Sequence, residues 1–339
     1  MTDADPAPGA DPTAGDGRAV DPATQLDAAR GGDRVALARL LSAVEAGGPR
    51  GRAVAGLAYR AGVEPRTIGI TGAPGAGKST LVSGLVTVAR RAGEAQLAVL
   101  AVDPTSPFSG GAILGDRIRM QDHALDPGVY IRSLATRGHL GGLTGAVPEA
   151  VRVLGAAGIG LVMVETVGVG QVEVEVAGAT DTVVVVVNPR WGDAVQANKA
   201  GLLEIADVFV INKADMPGAA ETRRDLEQML DLSAATAWRP PVVETVAATG
   251  AGVDELWAAV RSHQEAAAAG GALARRRRER LERELRQVLA ARIDDEIHHL
   301  TGGEEFAAAS LEVVEHRLDP YTAADRLIGS VGRRAGSPP

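Results

Sequence analysis

Thr67-Ile68-Gly69-Ile70-Thr71-Gly72-Ala73-Pro74-Gly75-Ala76-Gly77-Lys78-Ser79-Thr80 is the stretch on which the fold turns. A short run suited to a buried strand leads into a glycine loop. A helical pattern then runs from Lys78 to about Ala92. Gly72 to Ser79 fits G-x-x-x-x-G-K-[ST] in the strand–loop–helix context that the motif requires. The glycines let backbone N–H groups converge on phosphate, and the helix N-terminus adds its dipole. The segment therefore predicts a nucleotide-binding P-loop, with Gly72, Ala73, Pro74, Gly75, Ala76, Gly77, Lys78, Ser79 and Thr80 around the phosphates. The Ser79 hydroxyl is the expected Mg²⁺ ligand.

Lysine usage points the same way. The chain has three lysines, and each sits in such a signature: Lys78, Lys199 in Val195-Gln196-Ala197-Asn198-Lys199-Ala200-Gly201, and Lys213 in Asn212-Lys213-Ala214-Asp215. Compositional drift toward arginine explains the scarcity. It does not explain the places where lysine is kept. A compact ammonium and a planar guanidinium are not interchangeable, and a P-loop uses the point charge.

From Pro65 the pattern alternates strand, turn and helix. Apolar runs at Leu97–Val102, Val129–Leu134, Leu161–Val164, Val183–Val187, Val208–Ile211 and Val242–Val246 follow the first strand. Several are near-continuously apolar, as strands covered on both faces are. The expected fold is α/β: a doubly wound, mostly parallel sheet forming a P-loop GTPase domain, with N- and C-terminal helical extensions. The expected organisation is a disordered tail over 1–24 and a helical segment of two short helices over 25–62. A G domain over 63–262 follows, then a C-terminal helical segment over 263–330 and a disordered tail over 331–339.

Composition narrows the function. A net charge of −8 over 339 residues argues against a general nucleic-acid binder. The absence of cysteine excludes disulfides, thiolate catalysis and cysteine metal sites, and fits a cytoplasmic protein. No signal peptide is legible, and no apolar run is long enough to span a bilayer. In the tail, Leu281, Leu285, Val288, Leu289, Ile293, Ile297 and Leu300 form one stripe of an amphipathic helix over 273–300. That stripe is expected to bury itself against the body or a second copy. Arg275-Arg276-Arg277-Arg278 is followed by Glu279, Glu282 and Glu284, so it reads as a solvated helix face rather than a nucleic-acid patch.

Asn212-Lys213-Ala214-Asp215 ends an apolar strand. A carboxylate there accepts both N1–H and the exocyclic N–H₂ of guanine. Adenine offers no such pair, and an unpaired buried charge is costly. Asn212, Lys213 and Asp215 thus select GTP/GDP over ATP. Ala247 and Ala248, after the last strand, suit close backbone contact with the base. Asp103, Asp116 and Glu165 lie at strand ends or in glycine-rich loops on the presumed phosphate side, where open α/β sheets bind ligands. They are candidate catalytic and Mg²⁺-binding carboxylates, together with Ser79 as a ligand and Lys78 as the catalytic cation. Mg²⁺ typically takes one or two carboxylates, so at least one acts through water or orients the attacking water. For Asp116 a loop salt bridge with Arg117 or Arg119 is the alternative. Gln171 and Arg137 are the nearest candidates to assist hydrolysis.

Together these residues resemble the methylmalonyl-CoA mutase-associated GTPases of the MeaB/ArgK family. The resemblance spans about residues 65–260. It rests on Thr71 to Thr80, Val102-Asp103-Pro104-Thr105-Ser106, Gly110 to Met120, Thr136-Arg137-Gly138-His139-Leu140-Gly141-Gly142, Gly192-Asp193-Ala194-Val195-Gln196, Lys199-Ala200-Gly201, Glu204-Ile205-Ala206-Asp207 and Asn212 to Asp215. Glu165-Thr166-Val167-Gly168-Val169-Gly170-Gln171 is the most specific, standing where Ras-like proteins carry D-x-x-G. The resemblance implies a G domain of the signal-recognition and metallochaperone class and a homodimer. It implies a GTP-driven chaperone of an adenosylcobalamin-dependent acyl-CoA mutase, with methylmalonyl-CoA mutase as the default client. Such a chaperone gates cofactor loading and protects the mutase. Switch segments are implied at Asp103–Asp116, Glu165–Gln171 and Arg190–Gly201.

Two rival functions share parts of this pattern. A kinase or ATPase of an amino-acid transport system would need ATP, against which Asn212 to Asp215 speaks. A nickel metallochaperone GTPase would need soft or imidazole ligands. The only close histidine pair, His298-His299, diverges by about 100° on a helix.

Overall fold

The structure is a computed structural model and describes residues 20–104, 123, 125–136, 146–166, 176, 178–189, 201, 204–232 and 237–335. Two compact units meet in sequence at Arg277/Arg278.

The first unit begins with α1 (Pro22–Arg30), α2 (Arg34–Ala46) and α3 (Gly48–Arg60). Asp21 caps α1 by accepting from the Ala23 and Thr24 amides, and Asp33 caps α2 through Val35 and Ala36. The cap at Asp21, with Pro22 in the first turn, starts α1 inside the segment expected to be disordered. Three helices form where two were expected. Gly32 at φ 94° and Gly47 and Gly48 at φ 70° end one helix and begin the next.

Seven strands follow: β1 (Arg66–Gly72), β2 (Leu97–Pro104), β3 (Val129–Thr136), β4 (Leu161–Thr166), β5 (Thr182–Val187), β6 (Val208–Asn212) and β7 (Val242–Thr245). Each matches an apolar run read from the sequence. Their order is β3-β2-β4-β1-β5-β6-β7, and every pairing between them is parallel, so the sheet is more uniform than expected. β4, β5 and β6 are buried at every residue, which is why they alternate so little in polarity.

The helices α4 (Lys78–Arg91), α5 (Ala146–Ala156), α6 (Ala219–Leu232) and α7 (Val253–Ala269) cover both faces. On one face Leu81, Leu85 and Val86 of α4 and Leu256 and Val260 of α7 pack on Ile68, Ile70, Val184, Val186, Val208 and Val210. On the other, α1 to α3 and α5 cover β2 and β4, while α6 covers β5 and β6. Each small aliphatic side chain buried there contributes about 1.5–3 kcal/mol. No aromatic stacking is needed to build such a core.

α8 (Ala272–Thr301) starts in the first unit and carries on into the second, which also holds α9 (Glu304–Val314) and α10 (Pro320–Ala335). No residue of α8 is buried. Its apolar stripe at Leu285, Val288, Leu289, Ile293 and Ile297 is about half exposed or more.

Candidate nucleotide site

β1 delivers the glycine loop at the carboxyl edge of the sheet. Gly72 sits at φ 135°, and a Cβ there would lie 2.0 Å from the Val186 carbonyl of the neighbouring strand. Only glycine lets β1 run this close to β5 and still turn. Gly75 at φ 73° would meet nothing within 4 Å, so the outer side of the loop is open. Gly77 at φ 88° would place a Cβ 2.4 Å from Asn212 Nδ2. The last loop glycine thus makes room for a side chain from β6.

Lys78 and Ser79 open α4 and are both buried. The Lys78 ammonium donates to the carbonyls of Gly72, at 2.8 Å, and Ala73, at 3.0 Å. It lies folded into the loop, on carbonyls that a bound phosphate would replace. Ser79 Oγ donates to Glu165 Oε1 at 2.6 Å, and Glu165 is 4% exposed. This short bond joins the helix start to the end of β4. Beside it, Thr166 Oγ1 donates to Thr71 Oγ1 at 3.1 Å, tying β4 to β1 just before the loop.

Asp103 is the penultimate residue of β2, two residues beyond Ala101, which pairs with Glu165. Its backbone therefore reaches the same edge. Asp116, Gln171, Arg137 and Lys199 lie outside the described residues.

The base-side residues come together on β6 and after β7. Asn212 Nδ2 donates to the Ala76 carbonyl at 2.7 Å. Its Oδ1 accepts from Thr245 Oγ1 at 3.1 Å and from the Ala247 amide at 3.0 Å. One buried side chain thus joins the P-loop, β6 and the loop after β7. Lys213 takes φ 60°, a left-handed conformation that costs a non-glycine residue about 1–3 kcal/mol. Its ammonium donates to the Gly75 carbonyl at 2.8 Å. Asp215 and Ala248 are exposed next to this joint. Thr245 was missed in the sequence because its position inside the last strand reads as a plain β-branched strand residue.

Oxygen donors fit a Mg²⁺ site here. A hydroxyl and a carboxylate oxygen, both buried, face each other at the mouth of a helix, which is the donor chemistry that Mg²⁺ takes.

The amino edge of the same sheet carries a different polar network. Asp207, 3% exposed, precedes β6. Its carboxylate accepts from the Val183 amide at 2.9 Å and from Arg276 at 2.7 and 2.8 Å, and pairs with His263 Nε2 at 3.1 Å. Burial works to raise its pKa. The bonds from His263 and Arg276 outweigh burial and hold it below the ordinary carboxylate value. Asp181, before β5, accepts from Arg277 at 2.7 and 3.2 Å and from the Thr67 amide at 3.2 Å. Burial lowers the Arg277 pKa, but the Asp181 and Glu64 carboxylates raise it on balance. The arginine run is thus corrected: Arg276 and Arg277 are bound to buried aspartates rather than presented as a solvated face.

This fold and this loop geometry define a P-loop GTPase, a fold that binds guanine nucleotides. The chain belongs to a particular family of that class, the methylmalonyl-CoA mutase-associated GTPases MeaB, whose model matches residues 37–301. A GTPase-named protein of Pyrococcus abyssi is 46% identical over 304 residues, covering 88% of this chain and 94% of that one. The GTPase ArgK of Escherichia coli is 35% identical over 312 residues, covering 88% of this chain and 93% of its own. The crystal structure of LAO/AO transport system kinase aligns with a TM-score of 0.66 at 28% identity, covering 92% of this chain and 97% of that one. Among the described residues, no helix is long and apolar enough to cross a membrane.

Proposed function

We propose that the protein hydrolyses GTP with Mg²⁺ as a switch that services an adenosylcobalamin-dependent acyl-CoA mutase. The observation that carries the chemistry is the pair of buried bonds Ser79–Glu165 and Asn212–Ala76, which draw the phosphate loop, the end of β4 and the base-side residues into one site. On phosphate binding, the Lys78 ammonium leaves the Gly72 and Ala73 carbonyls for the β- and γ-phosphates, while the loop amides take the remaining charge. Bound Mg²⁺ would supply further neutralising charge there, held by Ser79 and by one or two of Asp103, Asp116 and Glu165. The carboxylate that is not a ligand orients the attacking water, with Gln171 as the nearest amide. Asp215 reads guanine, and Ala247 and Ala248 pack along the base.

The family's name supports the mutase as partner, with methylmalonyl-CoA mutase the first client to test. The exposed stripe on α8 supports a homodimer, because 30 residues of helix with no buried side chain leave apolar surface to cover. A cytoplasmic setting fits the cysteine-free composition.

The test is phosphate release from GTP by the purified protein, with and without the mutase and adenosylcobalamin, with ATP as control. Slow GTP-specific turnover that rises with the mutase is expected. Turnover indifferent to every mutase removes the partner, and preferential use of ATP removes the guanine assignment and restores the kinase alternative.

A further inference from the structure

Asn188 immediately follows β5. Its Oδ1 is shut off from solvent and accepts no hydrogen bond. Leaving a buried amide oxygen unpaired costs about 1–3 kcal/mol, so its position calls for a donor.

The sheet tells where this oxygen lies. Val184 and Val186 of β5 pack on the face covered by α4 and α7, while Val183, Val185 and Val187 pack on the other. Pro189 holds the preceding residue in the extended region, so the alternation carries on through Asn188. Asn188 therefore continues the α4 face. On β6, Val208 and Val210 occupy the same face and lead to Asn212. The register pairs Val184 with Val208 and Val187 with Ile211, so the next step sets Asn188 beside Asn212. The two asparagines are neighbours at the carboxyl edge. Asn212 is satisfied on both amide atoms, and Asn188 is not.

Lys213, which follows Asn212, brings an ammonium to this edge. β5 lies between β6, which carries Lys213, and β1, which carries the loop. To put its ammonium on the Gly75 carbonyl, Lys213 sends its stem across the end of β5. That stem passes the loop so closely that a Cβ at Gly77 would be 4.0 Å from Lys213 Cε. An ammonium has three N–H donors, and the Gly75 carbonyl takes one.

We propose that Asn188 is a positioning residue for the nucleotide site: when nucleotide binds, its Oδ1 takes a second N–H of the Lys213 ammonium and fixes the lysine stem beside the base. The bond is charge-assisted and about twice as strong as one between neutral groups. It anchors the base side to the strand that adjoins the P-loop, independently of Asn212. The proposal rests on reading this edge as a guanine-nucleotide site.

The test is release of a fluorescent GDP analogue from the full-length protein, followed after chase with unlabelled GDP. Asn188→Ala is expected to speed release about tenfold. Asn188→Leu keeps the volume without the acceptor, should behave alike, and serves if the alanine variant folds poorly by thermal melting. A cycle with Lys213→Met supplies the readout that a merely structural role would not move. Once the ammonium is gone, Asn188→Leu should have no further effect, whereas with Lys78→Met the two effects should multiply. Release unchanged in both Asn188 variants, or effects that multiply with Lys213→Met, overturns the role. A wild-type protein that binds no GDP overturns the site reading as well, and is told apart because the analogue never binds.

Discussion

The two edges of one sheet are built by opposite means. At the carboxyl edge, β1 and β6 end in glycines, left-handed residues and side chains bonded to backbone carbonyls, all within a few residues of each strand end. At the amino edge, the starts of β1, β5 and β6 are held by charges from the start of α8. Arg277 is bonded to Asp181, 96 residues away, and Arg276 to Asp207, 69 residues away. The first edge keeps its cations on neutral carbonyls, and under the proposed function Lys78 exchanges its pair for phosphate. The second pairs each cation with a buried carboxylate, which gives it nowhere else to go. The same strands are thus exchangeable at one end and fixed at the other, as a fold needs if loops are to respond while the sheet stays still.

Breaking the carboxyl edge should show in turnover and spare the fold. Lys78→Met should lower GTP turnover about a thousandfold or more, read as phosphate release, with a thermal midpoint close to wild type. If turnover survives, the ammonium does not neutralise the phosphates.

Breaking the amino edge should do the reverse. Asp207→Ala strands Arg276 and His263 and should cost about 3 kcal/mol, read from the urea midpoint, while GDP affinity stays within about twofold. A large loss of affinity at unchanged stability would show that the two edges are not separable in this way.

Acid sharpens the same comparison. The Asp207 carboxyl has a lowered pKa, so its contribution is full above the unfolded value of about 3.9 and fades as pH falls through the folded value below that. The stability gap between wild type and Asp207→Asn, measured in urea, should therefore shrink as pH falls below about 4. A gap that widened on acidification would give the shift the opposite sign.

The smallest effect separates neighbours in the arginine run. Arg275 is exposed, and Arg275→Ala should change stability by less than about 0.5 kcal/mol. Arg277→Ala should cost more, about 2 kcal/mol by the same urea titration, because it leaves Asp181 buried without its cation. Equal effects would make the run a solvated face after all.

What could be read from the sequence follows the same division. The strands were legible because burial on both faces leaves runs such as Val183 to Val187 with no polar interruption. The phosphate loop and Asn212 to Asp215 were legible because each is a short motif that needs fixed residue types at fixed spacing. Arg276 and Arg277 were not, because nothing in Arg275 to Arg278 marks which two face inward, and no motif spacing ties them to Asp207 and Asp181. Thr245 and Asn188 were missed for a related reason: their meaning comes from standing next to Asn212 across strands. α9 and α10 went unseparated because so short an apolar pattern, with so little of it buried, does not show where one helix stops.

The guanine assignment at Asp215 supports everything said of function, and competition against bound fluorescent GDP tests it most directly. GTP and GDP should displace the probe at least about a hundredfold better than ATP, and Asp215→Asn should shift preference from guanine to xanthine nucleotides. Displacement by ATP as effective as by GTP would contradict the account.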